Sequence, residues 1–228
     1  MGNRFDYKNQ RGYIRLEWKS TLDMIRIIDK IPARVTVACS GGVDSMSIIN
    51  FLLEGRRKVQ LAYFNHDTPH SKEAEQFVRK YAAKNKLILT VGRVRGTRGK
   101  QSLEEFWRNE RYNFLTSLGS SYVITCHHLD DVVETWLFKC LHGTPGLIPF
   151  KRGSNIYRPF LMTEKKEILS YAKRKSLEWI EDPSNRMTKN IMRNHIRHNI
   201  MPQVLKVNPG IRTMIRKKLI EIYHKNDV

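Results

Sequence analysis

The segment SGGVDS, Ser40 to Ser45, holds the residue types that grip a polyphosphate. Gly41 and Gly42 let the backbone approach an anion closely, and Ser40 and Ser45 add hydroxyl donors. Val43 and Asp44 fall where a helix start offers free amides and the positive end of its dipole. An acid facing phosphate alone gains nothing, so Asp44 is read as a ligand of a Mg²⁺ ion lying between its carboxylate and the phosphates. A tight strand-to-helix turn with a serine cap would use the same residues, but SGGxDS after an apolar strand is far more specific than a bare pair of glycines. No GK[ST] follows, so this is not a Walker loop.

A second cluster, CHHLDDVVET from Cys126 to Thr135, carries His127, Asp131 and Glu134. Asp131 and Glu134 are three apart at a helix start, share a face, and can present two carboxylates to one ammonium ion. Their plainer use is to complement the helix dipole. His127 and His128 point different ways and lack a third ligand, so a metal pair is not expected; one of them hydrogen-bonds in a nucleotide pocket, is a satisfied structural histidine, or, as His127, accepts a proton. Arg108 and Arg111 lie one turn apart in SLEEFWRNERY, placed either to steady developing negative charge or to pair with Glu104 and Glu105 on a solvated face. Arg193 and Arg197, four apart, suit phosphate contacts. The stretch GRVRGTRGK from Gly92 to Lys100 adds Arg93, Arg95, Arg98 and Lys100 on a glycine-rich loop available to phosphate. Cys39, before the phosphate loop, reads as a small buried residue and not as a nucleophile.

SGGVDS resembles the PP-loop signature of ATP pyrophosphatases, enzymes that adenylate an oxygen and expel pyrophosphate. Synthetases for GMP and NAD share that loop with tRNA thiolases and lysidine synthetases, so it names a half-reaction and not a product. CHHLDDVVET resembles the HHxxDxxET box of the last two groups, which narrows the substrate to RNA. RPFL at Arg158 to Leu161, Lys165 to Tyr171, and EDPSN at Glu181 to Asn185 followed by Arg193, Asn194 and Arg197 resemble the run ending in RNxIR of the tRNA(Ile) lysidine synthetase family. The resemblance spans roughly Val35 to Pro202.

That resemblance implies a ligase that adenylates the 2-oxo group of an anticodon wobble cytidine and replaces it with lysine, releasing pyrophosphate and AMP. ATP and Mg²⁺ would be its cofactors; free lysine and an isoleucine tRNA with a CAU anticodon would be its partners. An ATP site of Ser40, Gly41, Gly42, Val43, Asp44, Ser45, Asn65 and His66 is expected. The catalytic set is Asp44, Arg108, Arg111, His127, Asp131 and Glu134, with Asp131 and Glu134 also holding lysine. Arg93, Arg95, Arg98, Lys100, Arg193 and Arg197 are expected to meet tRNA. Two departures stand out: NHDTPHS at Asn65 to Ser71 replaces a leucine–arginine pair, and the chain reads as a short form without the further C-terminal domains of longer members. A tRNA thiolase would be expected to carry a CxxC pair, which Cys39, Cys126 and Cys140 do not supply. A non-catalytic nucleotide-dependent RNA-binding module would have little need of Asp44, Asp131 and Glu134 together.

Positioning these residues requires alternating strands and helices. Arg34 to Ala38, Val59 to Phe64, Leu87 to Val91 and Tyr122 to Thr125 have the short apolar composition of buried parallel strands. Helices are expected over Leu16 to Ile28 as a lead-in, Met46 to Leu53, Ser71 to Lys84, and from a capping box at Ser102 and Glu105 to about Leu118. This is a doubly wound α/β pattern, whose ligands gather beyond the carboxyl ends of the strands. After Pro149 the strand signal fades and helices follow at Glu164 to Arg174, Asn190 to about Leu205, and Ile211 to His224. The division expected is a PP-loop domain over 1–149 and a basic α-helical tail over 150–228, packed on it and contacting tRNA.

At 228 residues with 40% hydrophobic content, one main core plus an appendage is the expectation. Lys and Arg number 41 against 22 acids, a formal charge of +19 that points to a polyanion such as nucleic acid. No apolar run long enough for a bilayer and no secretory leader are visible, so no membrane partner and a cytoplasmic location are expected, with reduced cysteines. Nothing in the sequence sets the oligomeric state; a dimer is compatible with it.

Overall fold

The computed structural model describes residues 24–183 and 192–226. Its centre is a six-stranded sheet in the order β3-β2-β1-β4-β6-β5, parallel except for the β5–β6 pair. The strands are β1 (Arg34–Ala38), β2 (Lys58–Asn65), β3 (Leu89–Arg93), β4 (Val123–Ile124), β5 (Lys151–Arg152) and β6 (Ile156–Tyr157). The helices are α1 (Val43–Glu54), α2 (Pro69–Lys84), α3 (Leu103–Thr116), α4 (Leu129–Leu141) and α5 (Lys165–Arg174), followed by α6 (Met192–His195), a π-helical stretch (Ile196–Ile200), α7 (Met201–Val207) and α8 (Ile211–Asn226).

Side chains alternate across the strands, and each face seeds its own core. Val35 and Val37 of β1, Leu61 and Tyr63 of β2 and Ile124 of β4 face one core with Ile48, Ile49 and Leu52 of α1, Val78 of α2 and Tyr171 of α5. Ala62 and Val123 face the other, against Tyr112 and Leu115 of α3. A third cluster joins Leu129, Val132 and Val133 of α4 to Ile211, Ile215 and Leu219 of α8. Two ion pairs tie that tail down: Arg212 donates to Asp130 Oδ1 at 2.6 and 2.9 Å, and Arg216 to Glu164 Oε1 at 3.0 Å.

Strand order then decides where a ligand can sit. The chain leaves β1 toward β2 on one side and returns at β4 on the other, so the loops after β1 and β4 open on one crevice. These loops carry SGGVDS and CHH.

Two expectations are corrected. Residues 24–28 of the lead-in form no helix, while the earlier part of that segment lies outside the described residues. The reason is local: Arg26 donates its amide to Thr163 Oγ1 (2.8 Å) and accepts from it (2.7 Å), and Ile28 donates to the Pro159 carbonyl (2.9 Å), so the backbone bonds a neighbouring segment instead of its own turns. Beyond Pro149 the chain still contributes β5 and β6, two residues each, too short to show a period. Strand β6 extends the sheet beside β4, so the sheet itself draws on residues beyond 149.

Candidate active site

Strand β1 ends at Ala38, and the phosphate loop turns the chain into α1. Gly41 has φ +79°, a left-handed conformation that strains any side chain, and its carbonyl accepts the Ile180 amide at 2.9 Å. A Cβ on Gly41 would sit 3.0 Å from Ile180 Cγ2 and 3.3 Å from Phe77. Inside the turn, Ser45 Oγ donates to the Gly42 carbonyl (3.0 Å) and receives the Ser40 amide (3.2 Å), and Ser40 Oγ lies 3.3 Å from it. Gly42 is the N-cap of α1 and no side chain caps the helix, so its first-turn amides remain open to an anion.

Asp44 stands in that first turn and is paired with Lys165 Nζ at 2.5 Å. His128 Nε2 is 3.8 Å from Asp44 Oδ1 and 3.5 Å from Asp131 Oδ2, so one buried imidazole links the phosphate loop to the second cluster. His128 also caps α4, its amide donating to Asp131 Oδ2 at 2.9 Å. Burial raises the Asp131 carboxyl, but His128, His127, that amide and Arg197 together bring it down to about 2. Among the described residues no group of three or more His, Cys, Asp or Glu could hold a metal by itself. Asp44 alone beside open amides fits a Mg²⁺ ion held mainly by phosphate oxygens, the usual habit of that ion.

The two carboxylates expected to hold lysine are not equivalent. Arg197 grips Glu134 through two hydrogen bonds of 2.7 and 2.8 Å and reaches Asp131 Oδ1 only at 3.4 Å. Glu134 is therefore committed to a guanidinium, and Arg197, expected on a tRNA face, turns inward. The bidentate carboxylate keeps Arg197 firmly charged, while burial pushes the Glu134 carboxyl up.

Arg108 and Arg111 of α3 do share one face, as their spacing implied. With His66, Glu104, Trp107, Tyr112, His127 and Arg193 they line a cleft of about 210 Å³, in which three guanidinium groups outnumber the one carboxylate. His66 packs on Phe64 and Trp107, with ring centroids 5.0 and 5.3 Å away. Desolvation lowers the affinity of Arg108 and Arg111 for their protons, and mutual repulsion with Arg193 adds to it. Such a cleft favours an anion. The same forces depress the imidazoles: burial and nearby arginines take His127 to about 3, and burial and Arg111 take His66 to about 4. Both are neutral near pH 7. His127, held by Thr125 Oγ1 at 3.0 Å, is thus a weak proton acceptor and better suited to hydrogen bonding.

Other expected contacts fall elsewhere. Asn65 is buried and saturated, donating to Glu75 (2.6 Å) and accepting from Asp67 N and Ser71 Oγ (both 2.7 Å), so its side chain shapes the NHDTPHS loop. Arg93 is half-engaged, donating to Glu75 at 2.8 Å, whereas Arg95, Arg98 and Lys100 are exposed. Sequence reasoning offered His128 only as an alternative to His127 and missed Lys165 as a site residue. Only the RPFL-to-Tyr171 run hinted at Lys165, because no spacing rule links positions 121 apart.

A family model described as a PP-loop domain matches residues 18–204. The tRNA(Ile)-lysidine synthase of Pseudothermotoga lettingae is 34% identical over 194 residues, covering 78% of this chain and 43% of that protein. The tRNA(Ile)-lysidine synthase of Bacteroides thetaiotaomicron is 30% identical over 209 residues, 86% of this chain and 48% of its own length. The chain thus spans less than half the length of these relatives. Among solved structures, the U34-tRNA thiolase of Methanococcus maripaludis with its [4Fe-4S] cluster superposes with TM-score 0.65 at 15% identity, covering 83% of this chain and 72% of that one, a likeness of fold.

Proposed function

Because the chain belongs to the PP-loop domain family, we propose that it is an ATP-dependent ligase that joins lysine to carbon 2 of a cytidine in tRNA. The observation that carries this reading is the meeting of three parts at the β1–β4 crevice: open α1 amides with Asp44, a cationic cleft with aromatic walls, and the Asp131 carboxylate. Similarity to lysidine synthases supports the choice of lysine and of an isoleucine tRNA.

The α1 amides and the Ser40 and Ser45 hydroxyls hold the β- and γ-phosphates of ATP. A Mg²⁺ ion beside Asp44 would neutralise the departing pyrophosphate. Lys165 then exchanges its Asp44 partner for phosphate. The 2-oxo oxygen of cytidine attacks the α-phosphorus, forming an O–P bond as the bond to pyrophosphate breaks. Arg108 and Arg111 hold the charge that builds on the phosphoryl oxygens. The lysine amine next attacks carbon 2, and AMP leaves with the original oxygen. Asp131 orients the incoming ammonium, and the His128 imidazole, 3.5 Å from that carboxylate, is in reach of the proton the amine gives up. Glu134 serves by keeping Arg197 beside this carboxylate.

Mass spectrometry of nucleosides from tRNA incubated with ATP and lysine tests the reading: a cytidine gaining the mass of lysine less water is expected. Asp44→Ala should abolish pyrophosphate release while the melting curve stays native. Release that persists in this variant removes Asp44 from the phosphate site.

A further inference from the structure

Tyr112, which also lines the cationic cleft, borders a second depression of about 370 Å³ between the basic loop and α3. Its lining includes Gln101, Phe106, Asn109, Glu110, Asn113 and Arg152. None of these takes part in the chemistry proposed above.

The depression exists because the loop is strapped to α3. Gly92 lies so close to Phe114 that a Cβ there would fall 2.5 Å from the ring. One turn earlier on α3, Glu110 Oε2 accepts the amides of Arg95 (3.0 Å) and Gly96 (3.1 Å), and a Cβ on Gly96 would stand 3.2 Å from Glu110 Oε1. Those two amides hold the Glu110 carboxyl below its ordinary range. At the loop's end, Asn109 Nδ2 donates to Gln101 Oε1 at 3.3 Å. The loop is therefore a built edge, and Arg95, Arg98 and Lys100 extend from it into solvent.

The chemistry inside differs from that of the rim. Inside are neutral amides, the Phe106 ring and the carboxylate of Glu110, which would repel a phosphate. The Gln101–Asn109 hydrogen bond leaves the Gln101 Nε2 donors and the Asn109 Oδ1 acceptor without a hydrogen bond among the described residues. Asn113 makes no side-chain hydrogen bond among the described residues. The Arg152 guanidinium lies 3.9 Å over the Tyr112 ring, and Arg95, Arg98 and Lys100 are exposed on the loop that forms the other border. Paired amide donors and acceptors beside an aromatic ring are what reads the edge and face of a nucleobase, while cations at the rim hold its phosphates.

We propose that this depression seats one unstacked base of the RNA substrate, separate from the base that reacts. The proposal rests on the RNA-modifying reading above. Its test compares wild-type chain with Gln101→Ala/Asn113→Ala, two exposed positions whose loss leaves the core untouched, and with Phe106→Ala. Binding of a CAU-anticodon isoleucine tRNA transcript and of inorganic polyphosphate is measured at several salt concentrations. The expected result is a loss of about tenfold or more for tRNA in both variants, with polyphosphate binding and the salt slope unchanged. Unchanged tRNA affinity in the double variant overturns the proposal, and so does equal weakening toward polyphosphate. Lysidine formation is scored separately. Lysidine made normally by wild type, with unaltered tRNA binding by the double variant, removes the seat alone, whereas selective tRNA loss by the double variant beside a wild-type chain that itself makes no lysidine retains the seat and removes the ligase reading.

Discussion

At the scale of single residues, the site is governed by who neutralises whom. Asp44 answers to Lys165, Asp130 to Arg212, Glu134 to Arg197, while Asp131 has the longer contacts. This asymmetry separates the two acids by experiment. Asp131→Asn is expected to raise the lysine requirement sharply while ATP binding persists. Glu134→Gln instead strips a guanidinium that is 37% exposed of its carboxylate, so a loss of stability on the order of 1–2 kcal/mol, less than a fully buried pair would lose, should accompany its effect. Equal melting temperatures for wild type and Glu134→Gln would show the pair to be dispensable. The histidines give a pH signature. His66 and His127 hold no proton in the folded chain until about 4 and about 3, against an ordinary 6.5. Between those values the unfolded chain binds more protons, so stability falls as pH drops through that window. Asp131, lowered to about 2 from an ordinary 3.8, contributes stability that is lost as pH falls from about 3.8 to about 2. Urea midpoints should therefore be lower at pH 5 than at pH 7, and His127→Gln should flatten the difference.

At the scale of elements, glycines set how closely segments approach. Gly41 combines a positive φ with contact against Ile180, the residue whose amide braces the loop. Gly41→Ala is expected to destabilise the chain by about 1–3 kcal/mol and to weaken ATP binding, because strain and clash both fall on the phosphate turn. Adding Ile180→Ala should recover the part due to the clash. No recovery at all would assign the whole effect to backbone strain. The lead-in shows the same competition in reverse: apolar spacing at Ile25 and Ile28 suits a helix, yet Thr163 and Pro159 offer its amide groups better partners.

At the scale of the molecule, the +19 charge is unevenly available. Arg197 and Arg212 are tied to the buried Glu134 and Asp130, Arg216 to the partly buried Glu164 and Arg93 to Glu75, whereas Arg95, Arg98 and Lys100 extend into solvent. Affinity for tRNA should fall steeply with salt, and each of the three exposed cations replaced by Ala should reduce the logarithmic slope by about 1. Replacing Arg212 should cost stability without that change of slope. A flat salt dependence would point away from phosphate contact altogether. Among the described residues no helix is long and apolar enough to cross a membrane.

What the sequence determined by itself was local or periodic. The apolar runs located β1 to its end residues and α1, α2 and α3 to within a few positions, because a strand or helix declares its period over several residues. The SGGVDS and CHHLDDVVET segments were legible for the same reason, each being a contiguous turn with its own chemistry. Only the tertiary structure decided the pairings. Lys165 on Asp44, His128 between two acids, Arg197 on Glu134 and Asn65 on Glu75 depend on strand order and on which helix face meets which loop. The two-residue strands β5 and β6 also took their form from the neighbouring edge of β4 and not from any pattern of their own. A side chain's role follows from the partner it meets, and partners far apart in the chain leave no periodic trace in it.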